Sequence, residues 1–126
     1  MSQTASLVLA LAKIQEQVLA ASLSKRGMLA HNALAHLRVQ LLQATPQEYA
    51  AVPVAFDDGD LTNLPREPRF LCHVALPGNR RTYRDHTGAV DMSYDTVGNA
   101  NDLMSVDTAM DLAAALNLGR QARLKS

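Results

Sequence analysis

The apolar positions of the first third of the chain repeat with a helical period. Leu7, Leu11, Ile14, Val18 and Ala21 stand four, three, four and three residues apart, while Lys13, Gln15, Glu16 and Gln17 fill the other side. Such spacing places one apolar stripe on an amphipathic helix. Lys25, Arg26, Gly27 and Met28 read as its end: cations suit the negative pole of a helix, and glycine takes the left-handed conformation of a C-terminal cap. A second helix follows, with Ala30, Ala33, Leu34, Leu37 and Leu41 as the facing stripe of a helical hairpin. One bent helix with Gly27 inside it, at a cost of about 1 kcal/mol, is the alternative. The first seam also fits a short coiled coil through which two copies would form a homodimer. With three heptads at most and an alanine in the seam, burial within the chain is the preferred reading.

Thr45, Pro46 and Glu48 have the spacing of a capping box with proline at the first helical position, so a short helix is expected from Pro46 to about Ala51. Residues 52–56 are an apolar segment in which Pro53 argues for an edge strand. Residues 57–68 form a loop. Alternation then takes over: Phe70, Cys72, Val74 and Leu76 interleave with Arg69, Leu71, His73 and Ala75, as in a strand with one buried face. Gly78-Asn79 and Thr87-Gly88 read as two-residue turns. Together they predict a three-stranded antiparallel meander in which Tyr83 faces both Val74 and Met92. The same register sets Arg84 against His73 and Asp91, Arg80 against Asp95, and Thr82 against Ser93. Ser105 should cap a last helix with Val106, Ala109, Met110, Ala113 and Leu116 as its stripe and Gly119 as its stop.

The expected architecture is one α+β domain over residues 1–126: a helical part to residue 51, a loop at 57–68, a three- to four-stranded meander plus helix over 69–119, and a short tail at 120–126. The C-terminal helix should pack on the sheet. At 126 residues the chain can bury a core without staples. Lys and Arg number 12, as do Asp and Glu, leaving no global field to attract nucleic acid or an anionic membrane. A single cysteine precludes an internal disulfide and suggests a reducing compartment, so a cytoplasmic protein is expected. Residues 5–12 are too short an apolar run to span a bilayer.

Candidate chemistry is sparse. Asp57, Asp58 and Asp60 surround Gly59, but their spacing lacks the alternation and the closing glutamate of a calcium loop. A solvated acidic turn that docks a basic partner is expected instead, with no metal and no cofactor. Arg80, Arg81 and Arg84 around Tyr83 have the look of a phosphate site; in the meander register, Asp91 and Asp95 answer much of that charge, which disfavours nucleic acid. Cys72 and His73 are adjacent, and strand alternation aims neighbours at opposite faces, so they make no nucleophile–base pair. His86 would have to approach Cys72 through tertiary structure. His31 and His36 are five apart, where four would bring both rings to one metal.

Residues Thr82, Tyr83, Arg84, Asp85, His86, Thr87, Gly88, Ala89 and Val90, followed by an alanine-rich segment from Ala109 to Leu116 and by Gly119, form a longer pattern. It resembles accessory modules of large polyvalent proteins of plasmids and conjugative elements, in which a Tyr-Arg-Asp-x-x-Gly hairpin precedes an alanine-rich helix ending in glycine. The resemblance covers the C-terminal third. It implies a phage or plasmid accessory protein, a class that includes small inhibitors of host defence complexes such as anti-CRISPR proteins. The functional expectation is therefore a non-catalytic protein-binding module whose partner is a host complex. Asp57, Asp58, Asp60, Arg80, Arg81, Arg84 and the helical hairpin are the candidate contacts. A small nucleic-acid-binding protein is the alternative, and a Cys/His enzyme is the third class.

Overall fold

The computed structural model describes residues 3–59 and 67–125. Two antiparallel helices, α1 (Gln3–Ala20) and α2 (Leu23–Ala44), form the expected N-terminal pair. Leu7, Leu11, Ile14 and Val18 are buried with Ala30, Leu34 and Leu37 of α2 and with Phe70, so the α1 seam packs within the chain. The break between the helices falls at Ala21 and Ser22, ahead of Gly27. Arg26, in the first turn of α2, reaches back and donates from Nε to the Ala21 carbonyl (3.1 Å) and from Nη2 to the Leu19 carbonyl (2.9 Å). The cation expected to cap α1 from its own last turn therefore caps it from the next helix. Gly27 lies within α2 with nothing within 4 Å of where a Cβ would be. Gly27→Ala should consequently raise stability by about 0.5–1 kcal/mol in urea denaturation, because the helix loses a flexible residue and no atom is crowded. A decrease would mean that this segment is not helical.

No helix follows Thr45. Its hydroxyl donates backward to the Leu41 carbonyl (2.9 Å), and Glu48 N–H closes a turn onto the Thr45 carbonyl (3.2 Å). Thr45 thus ends α2, and the expected 46–51 helix is replaced by a turn into β1 (Ala50–Asp57). This strand pairs antiparallel with β2 (Arg69–Ala75) and is an edge, as Pro53 required, with a bulge between Pro53 and Ala55. On its other side β2 pairs with β5 (Met104–Ser105) and bridges through Ala75 to Thr96. The remaining strands, β3 (Arg81–Arg84) and β4 (Val90–Ser93), form a separate two-stranded hairpin.

The strands are antiparallel, but the expected meander through β2, β3 and β4 does not form. β2 is central, and Cys72, His73, Val74 and Ala75 are all buried because helices cover both faces of the sheet. One face, carrying Cys72 and Val74, packs on Ala109 and Ala113 of α3 (Val106–Lys125); the other, carrying Val52 and Ala75, packs with Leu42 of α2 and Met92 of β4. An arginine-rich strand cannot occupy a position beside β2 under such cover without burying charge. The less charged segments around Thr96 and Met104 take it instead.

α3 begins as expected, with Ser105 Oγ accepting from Thr108 N–H (3.2 Å). It does not stop at Gly119 but continues through the expected tail to Lys125. Tertiary bonds hold this extension. Asn117 brackets the Tyr49 backbone, accepting from its N–H (2.8 Å) and donating to its carbonyl (2.9 Å), and Arg120 donates to the Gln47 carbonyl (2.7 Å).

Candidate functional site

The β3–β4 hairpin is separate from the three-stranded sheet, with Met92 of β4 in the core, and is mounted on α2 at two points. Its turn is a three-residue loop of His86, Thr87 and Gly88, with Asp85 N–H donating to the Ala89 carbonyl (2.9 Å) and Gly88 at φ 87°. The Asp85 carboxylate braces it, accepting from Thr87 Oγ1 (2.5 Å), Thr87 N–H (2.9 Å) and Ala89 N–H (3.1 Å). Its other oxygen accepts from His31 Nε2 on α2 (2.7 Å). Bonds from the Thr87 hydroxyl first and from His31 second hold the Asp85 carboxyl well below the usual carboxylate range.

About two helical turns further along α2, Arg38 makes the second mount. Its Nε and Nη2 grip Asp91 of β4 at 3.0 and 2.7 Å, and its Nη1 donates to the Pro53 carbonyl of β1 (3.0 Å). Both side chains are 8% exposed, so this is a buried, bidentate pair tying helix, sheet and hairpin together. Burial alone would raise the Asp91 carboxyl, but the bonds from Arg38 and from Met92 N–H prevail and hold it below its ordinary value. Both carboxylates are thus depressed on folding. Their contribution to stability is complete above the unfolded carboxylate range and is lost as pH falls through their folded values. Stability measured by urea denaturation should decline below about pH 4. Asp85→Asn should make that decline shallower, and an unchanged acid slope would show that Asp85 is not held as described.

The three-residue turn shifts the hairpin register by one residue from expectation. Arg81 faces Ser93, Thr82 faces Met92, Tyr83 faces Asp91 and Arg84 faces Val90. Tyr83 is therefore not packed on Val74 and Met92; it is 47% exposed, its hydroxyl 3.5 Å from Asp91 Oδ2. Arg84 does not meet His73 or Asp91, because Arg38 has taken that carboxylate, and donates to the Gly88 carbonyl of its own turn (2.9 Å). Asp95 does not answer Arg80; its side chain accepts from Asn79 (3.3 Å).

Of the six residues singled out from sequence, the five that are described separate into three environments. Arg80 is structural: its guanidinium donates to the carbonyls of Leu42, Thr45, Glu48 and Leu76, closing the C-terminal end of α2. Arg81 and Arg84 are exposed on β3, with no ion-pair partner among the described residues. Asp57 and Asp58 are apart from them and engaged locally, Asp57 with Gly59 N–H (3.0 Å) and Arg69 (3.4 Å), Asp58 with Arg26 (3.8 Å). Asp60 lies outside the described residues. A further exposed apolar group, Leu23, Met28 and Leu29, sits at the beginning of α2.

The reactive side chains do not converge. Cys72 is fully buried under α3, where desolvation pushes its thiol up to about 12, while His73 occupies the opposite face of β2. There its Nε2 donates to the Ala100 carbonyl (2.7 Å) and its Nδ1 meets the Tyr94 hydroxyl (3.1 Å). His86 lies near His31, the rings tilted by 48° with centroids 6.2 Å apart. Among the described residues no group of three or more His, Cys, Asp or Glu side chains could hold a metal, and no helix is long and apolar enough to cross a membrane.

Sequence reasoning missed Arg38, and weighed His31 only as a metal ligand, not as the partner of Asp85. Their signal was present: His31, Ala35, Arg38 and Leu42 form a second stripe on α2 beside the Leu34 and Leu37 stripe that meets α1. An arginine between Leu34 and Leu42 at four-residue spacing marks a cation destined for the interior. No protein-family model matches this chain, and no curated protein or solved structure matches it.

Proposed function

We propose that this chain is a non-catalytic protein-binding module, acting in the cytoplasm as an accessory inhibitor of a host complex. The observation that carries the reading is the β3–β4 hairpin: it is mounted on α2 by Arg38–Asp91 and His31–Asp85, yet every residue of β3 is exposed. Two buried or part-buried anchors on a single helix fix an element whose outer strand is exposed at low conformational cost, which is what a preorganised recognition surface requires. An aromatic ring and two arginines are also the side chains most often found at the energetic centres of interfaces. The resemblance of Thr82–Val90 to hairpins of plasmid and conjugative-element modules adds the host-directed role.

Crosslinking followed by affinity capture and mass spectrometry tests this reading. Crosslinks from one partner should map to the hairpin or to the Leu23–Met28–Leu29 tip, and the double variant Cys72→Ser, His86→Ala should retain biological activity. Loss of activity in that variant with the fold intact, or no stable partner under gentle conditions, counts against it. Arg81 and Arg84 beside Tyr83 favour a nucleic-acid-binding module as the second reading. Its mark would be an affinity for a generic duplex that falls steeply with salt.

A further inference from the structure

In an antiparallel pair, residues alternate between those whose main-chain groups face the partner strand and those whose groups face away. In the hairpin, Asp85 bonds to Ala89, and Arg81 and Tyr83 stand at even spacing from it opposite Ser93 and Asp91. The main-chain N–H and C=O of Thr82 and Arg84 therefore point outward from β3. They meet no third strand, since the sheet consists of β3 and β4 alone, and none of their main-chain groups bonds to another described residue. The edge carries Arg81 and Arg84, both exposed and free of a carboxylate partner among the described residues, with Tyr83 between them. At its beginning the strand runs into an open groove of about 530 Å³ with Leu42, Pro46 and Met92 as its apolar wall and Gln43, Arg80, Arg81 and Thr82 as its polar one.

We propose that the outer edge of β3 is a docking rail to which an extended, acidic segment of a protein partner adds as a further strand. Its backbone bonds to Thr82 and Arg84, its carboxylates pair with Arg81 and Arg84, and an apolar side chain enters the groove. The inference rests on the protein-binding reading and supplies the chemistry of the partner. Strand addition gives affinity through main-chain bonds and specificity through alternate side chains, and two guanidinium groups on a short edge select a polyanionic strand over a basic one. A nucleic acid fits less well: one ring and two cations neutralise few phosphates, and a phosphate can accept from the outward N–H groups but cannot donate to the outward carbonyls, whereas a peptide strand matches both.

The probe is a blocked hexapeptide Val-Glu-Val-Val-Glu-Val, its glutamates three apart as Arg81 and Arg84 are and so, like them, on opposite faces of a strand, titrated into the whole isotopically labelled protein and followed by amide NMR and hydrogen exchange. Saturable shifts should concentrate on residues 80–85, with slowed exchange at Thr82 and Arg84. Thr82→Pro, which removes an outward N–H that the fold does not use, should weaken binding at least tenfold. The double reversal Arg81→Glu, Arg84→Glu serves if the proline variant does not fold; it should lose the Glu/Val peptide and gain a Lys/Val one. Equal binding of a peptide N-methylated at alternate residues, shifts confined to the α2 tip, no binding of the acidic peptide, or binding of a short oligonucleotide in its place would each overturn the inference. Charges that serve only to repel stray strands would give the no-binding result. If partner crosslinks map to the Leu23–Met28–Leu29 tip while β3 stays silent, the binding-module reading survives and the rail does not; absence of any partner removes both.

Discussion

Arg38→Met should lower the stability of this protein by about 3–5 kcal/mol, the usual cost of stranding one member of a buried ion pair. Asp91 would remain 8% exposed with its main cationic partner gone, and the Pro53 carbonyl would lose its donor. A small domain is stable by only about 5–15 kcal/mol, so the variant should be marginal at 37 °C. Asp91→Leu alone should be comparably damaging, since it leaves the Arg38 guanidinium buried and unpaired. The double variant should recover most of the loss, because removing both charges together removes both desolvation penalties; the shortfall, about 1–3 kcal/mol, is the orphaned Pro53 carbonyl. Urea denaturation of the three variants provides the cycle. Hydrogen exchange on Arg38→Met should further show β3–β4 opening ahead of the β1–β2 core, since the hairpin loses its inner mount while the sheet keeps its ladder. Additive single-variant losses in the double would mean that the two side chains do not depend on each other.

The second large effect separates three arginines that look alike in the sequence. Arg80→Met should cost about 2–3 kcal/mol, while Arg81→Ala and Arg84→Ala should each stay within about 0.5 kcal/mol of the parent. The difference is one of partners. The Arg80 guanidinium satisfies carbonyls of Leu42, Thr45, Glu48 and Leu76 at once, where the end of α2, the following turn and the end of β2 meet. A helix leaves its last carbonyls without intrahelical donors, and only Leu41 is served by the Thr45 hydroxyl. Part of the lost bonding would be regained from water at the more exposed carbonyls, which keeps the cost below the sum of four charged bonds. Arg80→Lys should rescue poorly, because one ammonium cannot span carbonyls that a planar fork reaches together. Thermal midpoints of the four variants settle the ranking; a tolerated Arg80→Met would return Arg80 to the exposed surface and to the list of partner contacts.

Local signals were legible where the physics is local. The α1 seam is buried as its spacing required, Pro53 lies on an edge strand, Ser105 caps α3, and the class is α+β with the last helix on the sheet. Errors arose where a local signal had a stronger distant competitor. Thr45 has the sequence of a helix start, but its hydroxyl is already used to end α2. Gly27 and Gly119 look like stops, yet Arg26 finishes α1 from beyond the break, and Asn117 and Arg120 hold α3 helical past Gly119. Gly78 and Asn79 do adopt positive φ, as a tight turn there requires, but the chain leaving them does not return along β2.

The candidate surface was half visible in the same way. Tyr83, Arg81 and Arg84 were picked out, but matching opposite charges along an assumed register paired Arg84 with Asp91 and hid the exposure of that arginine. One residue of turn length decided it, since Asp85 bonding across to Ala89 makes a loop of three rather than two and moves every facing pair.

From its own residues the chain settled the existence of the three long helices, the four longer strand segments, the class and the absence of an internal disulfide, because period and composition act over a few residues or over none at all. Which strand lies beside β2, which cation meets Asp91 and which arginines face water belonged to the tertiary structure alone. Those outcomes follow from competition for one buried position between segments distant in sequence, and burial penalises an unpaired charge more than any local pattern rewards it.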